Sequence, residues 1–355
     1  MVLAWRLSES IAGWWLDPKE NWCQTTRSLC GEWRLGVNYR SFADLPRDIL
    51  ENLHKVPSEV DLIVGVPRSG MLAAYQIALL RNLNVCSVDE FLANAPLQHG
   101  STRTIGGSLD RPSDAKNVLV VDDSISTGGS MAAVRQKLLS VSSSQQIGFS
   151  AIYASAESVG LVDVHFVELS MPRIFQWNLL HRRSLDSVYF DMDGVLCADP
   201  TPQENDDGPM YLEFLKNARP LALPSRRLGG IITSRLEKYR GPTEEWLNRH
   251  GVSYGALHML DLPTAEERRR TGAHAAFKAQ VYGALENAGL FVESDSKQAQ
   301  EIARRTGKPV LDYSWPEGGN LVYRRDLIAK FRRKGRSILN RFRVRWFQRS
   351  QGKSL

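Results

Sequence analysis

The chain has 355 residues, 43% of them apolar, which is enough for two domains with ordinary cores and their appendages. No uninterrupted apolar run approaches the roughly 20 residues of a membrane-spanning helix. The net charge of +6 is unevenly placed: residues 324–355 carry twelve Lys/Arg against one acid, Asp326, and that +11 leaves −5 for the body, which speaks against a uniform nucleic-acid-binding surface.

Met1–Ser10 lacks a basic start, an apolar stretch and a cleavage site, so a secretion signal is not expected. The four cysteines, Cys23, Cys30, Cys86 and Cys197, make no C-x-x-C pair, the usage of reduced thiols in a cytoplasmic protein. Five of the nine tryptophans fall in residues 1–35, read as an N-terminal extension. From about Tyr39 the pattern turns α/β. Asp61–Val66 reads as a buried strand, and Gly65–Met71 as a Gly/Pro turn that opens a helix over Met71–Leu80. Ala93–Lys116 is long and polar, and a loop of that length in a compact domain is usually functional.

Val118–Val121 is an apolar strand that ends in Asp122 and Asp123, with Ser126, Thr127, Gly128, Gly129 and Ser130 following at a helix start. Glycines let backbone N–H groups approach a phosphate, and a helix N-terminus favours negative charge there. A helix over Gly129–Leu139 and a strand over Ile147–Tyr153 follow. The thirteen residues Val118–Ser130 resemble the phosphoribosyl pyrophosphate (PRPP) motif of type I phosphoribosyltransferases. The resemblance implies that Asp122 and Asp123 hold the ribose hydroxyls and that Ser126–Ser130 cradle the 5-phosphate. It also makes Arg68, Ser69 and Gly70 the pyrophosphate loop, and Gly100–Ser108 the closing loop with Arg103 as a contact. Arg173–Trp177 lies where that family places its acceptor hood.

A second α/β series begins near Ser187, after a boundary placed at about residue 182. Val188–Phe190 leads into Asp191 and Asp193; Ile231 and Ile232 lead into Thr233 and Ser234; Lys278 follows; and Leu290–Val292 leads into Glu293, Ser294 and Asp295. This series resembles the haloacid dehalogenase (HAD) phosphatase superfamily over Ser187–Tyr323. The resemblance implies Asp191 as nucleophile and Asp193 as acid/base. Thr233, Ser234 and Lys278 become phosphate contacts, and Mg²⁺ is held by Asp191, Asp193, Glu293 and Asp295. Only 40 residues separate Asp193 from Thr233, and 45 separate Thr233 from Lys278. Each interval must hold a helix and a strand, such as Met210–Asn217 with Leu228–Thr233, so no cap domain fits. Capless members of that superfamily act on large substrates.

In the tail, Leu327, Ile328, Phe331, Ile338, Leu339, Phe342, Trp346 and Phe347 recur at mostly helical spacing among Lys/Arg, the composition of an amphipathic helix on an anionic membrane. The expected architecture is therefore α/β: residues 36–182 as a type I phosphoribosyltransferase fold, 183–323 as a capless HAD fold, both Rossmann-like parallel sheets, and 324–355 as a basic amphipathic helix. A phosphatase fused to a transferase resembles the PRPP-dependent two-step ribofuranosylation of bacterial polysaccharide biosynthesis, which implies that phosphoribosyl passes from PRPP to a sugar hydroxyl of a glycan or lipid-linked polysaccharide, with inversion to a β product, and that the 5-phosphate is then removed. That places the enzyme in the bacterial cytoplasm, peripheral at the inner membrane face, with homo-oligomerisation left open. Two other readings are a nucleobase phosphoribosyltransferase with an auxiliary nucleotidase, and a PRPP-sensing regulator that binds RNA.

Overall fold

The computed structural model describes residues 36–100, 109–141, 144–313 and 319–323. The Trp-rich extension, Arg103 with most of the expected closing loop, and the basic tail lie outside the described residues.

In chain order the first half runs β1 (Asn38–Arg40), α1 (Asp44–Glu51), β2 (Leu62–Gly65), α2 (Ser69–Arg81), β3 (Asn84–Ser87), α3 (Val88–Leu92), β4 (Asn117–Ile125), α4 (Gly129–Val141), β5 (Gln146–Ala154), β6 (Val164–Glu168) and β7 (Arg173–Phe175). Strands β3-β2-β4-β5-β6 form a five-stranded parallel sheet. Alternate residues feed its two faces: Leu62, Val64, Val118 and Val120 pack on one side, Ile63, Leu119, Val121 and Ile152 on the other. Burial on both faces is why these strands read as continuous apolar runs.

The helix bounds differ from expectation by two residues at most. The larger difference is β4, which runs four residues past its apolar run, through Asp122 and Asp123 to Ile125. Its neighbour β5 is equally long and keeps the ladder going, with Asp122 opposite Ala151 and Ser124 opposite Tyr153. The paired acids therefore stand on a strand rather than in a loop.

The second half runs β8 (Val188–Phe190), α5 (Pro209–Asn217), β9 (Leu228–Leu236), α6 (Arg240–Arg249), β10 (Tyr254–Leu260), α7 (Ala265–Thr271), α8 (Ala273–Ala284), β11 (Leu290–Glu293), α9 (Ser296–Thr306), β12 (Val310–Asp312) and β13 (Asn320–Val322). These strands form a six-stranded sheet in the order β10-β9-β8-β11-β12-β13, parallel except for β13. Asp295 caps α9 by accepting from the Lys297 and Gln298 amides, and Gly307 in the left-handed region ends it.

Strands β1 and β7 pair with each other, apart from both large sheets. They form a seam. Val37, Tyr39, Ile174, Leu179 and Leu180 belong to the same apolar cluster as Val188, Phe190, Ile231 and Val292 of the second sheet. The Tyr323 hydroxyl donates to the Val37 carbonyl at 2.7 Å, so the two ends of the described chain meet at this seam. No helix among the described residues is long and apolar enough to cross a membrane.

Candidate functional site

At the carboxyl edge of the first sheet, β2 and β4 lie side by side and deliver two loops to one place. The turn after β2 is tied to β4 by the Val66 amide, which donates to the Val121 carbonyl at 2.9 Å. Gly70 allows this approach. A Cβ there would lie 2.8 Å from the Val121 carbonyl oxygen and 3.0 Å from Asp122 Cα, so any side chain would push loop and strand apart. Arg68 is exposed at the mouth, as are Ser126, Thr127, Gly129 and Ser130 opposite it, where α4 begins.

Asp123 is buried, and each of its oxygens already accepts one hydrogen bond: Oδ1 from Ser69 Oγ at 2.8 Å and Oδ2 from the Trp177 indole N–H at 2.7 Å. Asp122 accepts the Asp123 amide at 2.8 Å. Burial, and then the charge of Asp123, push the Asp122 carboxyl up to about 8. Trp177 is the residue whose role the sequence concealed. It follows β7, far from the motif in sequence, and stacks on Phe175 with centroids 4.8 Å apart and an interplanar angle of 15°. Phe42, half exposed, lies 5.9 Å from it. Arg173 is buried beneath, donating to the Leu169 and Ile125 carbonyls, so it braces the end of β4 rather than facing a ligand.

The second sheet presents a cavity of about 390 Å³ at the carboxyl edge of β8, β9 and β11. Asp191, Asp193, Thr233, Ser234, Lys278, Glu293 and Asp295 all line it, so the expected phosphatase residues are brought together. Gly194 makes the first turn with φ +75°, and a side chain there would collide with Ser294. Lys278, 2% exposed, donates to Asp191 Oδ2 and Glu293 Oε2, both at 2.7 Å, and to Gln298 Oε1 at 3.1 Å. Burial raises the Asp191 carboxyl above its ordinary range, with Lys278 pulling the other way. Glu293 is pushed up to about 8 by burial and by Asp191. Asp199, on the rim, is raised to about 6 by loss of hydration beside Asp193 and Asp191.

Arg235 is a second residue the motifs did not supply. It is fully buried two positions beyond Thr233, and its Nε lies 3.1 and 3.2 Å from the two carboxylate oxygens of Asp193. An Arg following Thr-Ser at the end of an apolar strand was visible in the sequence, but its partner was not. The Ser234 hydroxyl is buried in the cavity wall with no hydrogen-bond partner among the described residues. An unsatisfied buried donor costs stability unless something fills its valence, and a phosphate oxygen is chemically suited to do so.

The four acids expected to hold metal line one cavity without closing into a single cluster. Among the described residues no three His, Cys, Asp or Glu side chains are grouped as a metal site. Glu293 is spent internally: Oε2 meets Lys278 and Oε1 accepts the Asp295 amide at 3.1 Å. Asp295 uses only Oδ1 for its capping bonds. The cavity wall nonetheless offers the all-oxygen donors that a hard cation takes.

Residues 38–181 match the Phosphoribosyl transferase domain family. Among solved structures, the chain is similar to the Helicobacter pylori xanthine-guanine-hypoxanthine phosphoribosyltransferase, with 19% identity, coverage of 40% of this chain and 93% of that one, and a TM-score of 0.31. It is also similar to a purine phosphoribosyltransferase from Pyrococcus horikoshii (19% identity, 40% and 93% covered, TM-score 0.30) and to the orotate phosphoribosyltransferase of Aeropyrum pernix (20% identity, 34% and 61% covered, TM-score 0.24). No curated protein matches the chain. With its parallel sheet and the paired acids at the edge of β4, the stretch 38–181 is a type I phosphoribosyltransferase domain.

Proposed function

We propose that the protein performs two-step ribofuranosyl transfer: a 5-phosphoribosyl group passes from PRPP to a sugar hydroxyl of a glycan or lipid-linked polysaccharide, and the second sheet's site then hydrolyses the 5-phosphate. The observation that carries this reading is the second cavity, where a buried Lys278 balances Asp191 and Glu293 beside an unpaired Ser234 hydroxyl. A nucleobase transferase would lose its product's phosphate to such a site.

In the first step Asp122 and Asp123 accept hydrogen bonds from the ribose hydroxyls, and the amides and hydroxyls of 126–130 hold the 5-phosphate. Arg68 and the amides of Ser69 and Gly70 meet the departing pyrophosphate, where negative charge grows. The acceptor hydroxyl attacks the opposite face of the anomeric carbon, giving a β product. In the second step the Asp191 carboxylate attacks phosphorus and the ribose 5-oxygen leaves. Asp193 passes a proton to that oxygen and then draws one from the water that cleaves the aspartyl-phosphate, while Arg235 holds its carboxylate in place. Thr233, Ser234 and Lys278 contact the phosphate oxygens. Mg²⁺, when bound, would offset phosphate charge in this cavity, and Asp191, Asp193 and Asp295 would hold it in preference to Glu293. The +11 of residues 324–355 suits attachment to an anionic cytoplasmic membrane face, where lipid-linked acceptors are assembled.

The test is incubation of the full chain with PRPP, Mg²⁺ and neutral glycan acceptors, with products weighed by mass spectrometry. Wild type yields ribosylated acceptor without phosphate, and Asp191→Asn yields the same acceptor still phosphorylated. Fully dephosphorylated product from Asp191→Asn would refute the second step. Efficient turnover of orotate or a purine base would refute the glycan acceptor.

A further inference from the structure

Beside the phosphatase cavity lies a second depression of about 500 Å³, between α5 and the segment Ala198–Glu204. Asp199 lines both, so the two depressions are neighbours that share that residue. The mechanism above uses none of this groove. Its floor is apolar, with Phe214 beneath and Met210 left 51% exposed, although α5 has a buried face available for apolar side chains. Its rim is polar and mostly acidic: Glu204 and Glu213 stand with Asn217 against a single cation, Arg219.

We propose that this groove is a subsite for the neutral sugar residues that follow the phosphoribosyl unit, so that the phosphatase reads a ribosylated hexose chain rather than a lone phosphate ester. The inference rests on the phosphatase reading of the Asp191 cavity. Three properties lead to it. The groove borders the phosphatase cavity at Asp199, so sugars attached to a ribose held at that cavity are within reach of α5. A pyranose ring has one face of C–H groups and an edge of hydroxyls, matching a Met210 floor with carboxylate and amide acceptors at the rim. Finally, three carboxylates at Asp199, Glu204 and Glu213 repel a phosphodiester backbone, whose binding depends on cations. The volume lies within the roughly 300–1,000 Å³ typical of ligand sites.

The experiment measures phosphate release by the full chain from three probes: methyl 5-phospho-β-ribofuranoside, the same phosphoribosyl unit linked to galactotriose, and a 5′-phosphorylated pentanucleotide. Wild type should favour the trisaccharide ester over the methyl ester by about tenfold in kcat/KM, expressed mainly in KM. Met210→Glu and Glu213→Lys, both at exposed positions of α5, should each bring that ratio to within threefold of one, and Glu213→Lys should raise turnover of the pentanucleotide. Equal turnover of the two sugar esters by wild type and both variants overturns the subsite while leaving the phosphatase intact. Preference of wild type for the pentanucleotide overturns it in favour of a nucleic acid strand. Release from none of the probes overturns the phosphatase reading and the subsite together.

Discussion

Asp123 and Trp177 show how one hydrogen bond ties the segment after β7 to the edge of β4. A hydrogen bond to a charged group contributes about 1.5–3 kcal/mol, so Trp177→Phe, which keeps the ring stack and removes the N–H, should weaken PRPP binding by about tenfold or more. Donor titration in the transfer assay checks this; unchanged KM for PRPP would mean that Ser69 alone positions Asp123. Asp122 carries a separate signature in pH. Its folded carboxyl is raised to about 8 from an ordinary value of 3.8, so the folded state keeps a proton that the unfolded chain gives up. That contribution is present in full below about pH 4 and disappears as pH rises through 8. Asp122→Asn removes the titration, so its Tm relative to wild type should climb steadily between pH 5 and 8 in ligand-free protein. A difference independent of pH would show that Asp122 is ionised throughout.

At the scale of elements, both sites sit where parallel strands end and helices begin, and in each the nearest turn depends on a glycine. Gly70→Ala should push the β2 turn off β4 and cost about 1–3 kcal/mol, the usual range for overpacking a close contact, with transfer lost before the fold. Urea unfolding beside a transfer assay separates the two effects, and wild-type transfer would mean that the loop is free to shift. Much of this layout was legible in the sequence because strands buried on both faces announce themselves: Val118–Val121 and Val188–Phe190 deliver their acids just as the apolar runs imply. Other parts were not. The Trp177 partner of Asp123 and the Arg235 partner of Asp193 are contacts between chain-distant elements, and no local pattern encodes them. The surroundings of Glu293 were hidden as well. Its place in the motif points to metal, and the structure buries it against Lys278. Strands β1 and β7 are three residues each, too short for periodicity to reveal.

For the whole molecule, the β1–β7 seam means that the two sheets do not stand independently. Ile174 is 2% exposed and packs in the cluster that also holds Phe190 and Val292. Ile174→Ala should cost about 2–5 kcal/mol and lower the thermal midpoints of the transferase activity and of the proposed phosphatase activity together. Loss of one activity with the other's midpoint unchanged would show that the seam is only a surface contact.

The Tyr323 hydroxyl on the Val37 carbonyl closes the described chain on itself. Residues 36 and 323, the two ends of the described chain, therefore lie side by side at the β1–β7 seam. A tether drawn between residue 36 and residue 323 would need only a few residues to close the body into a ring.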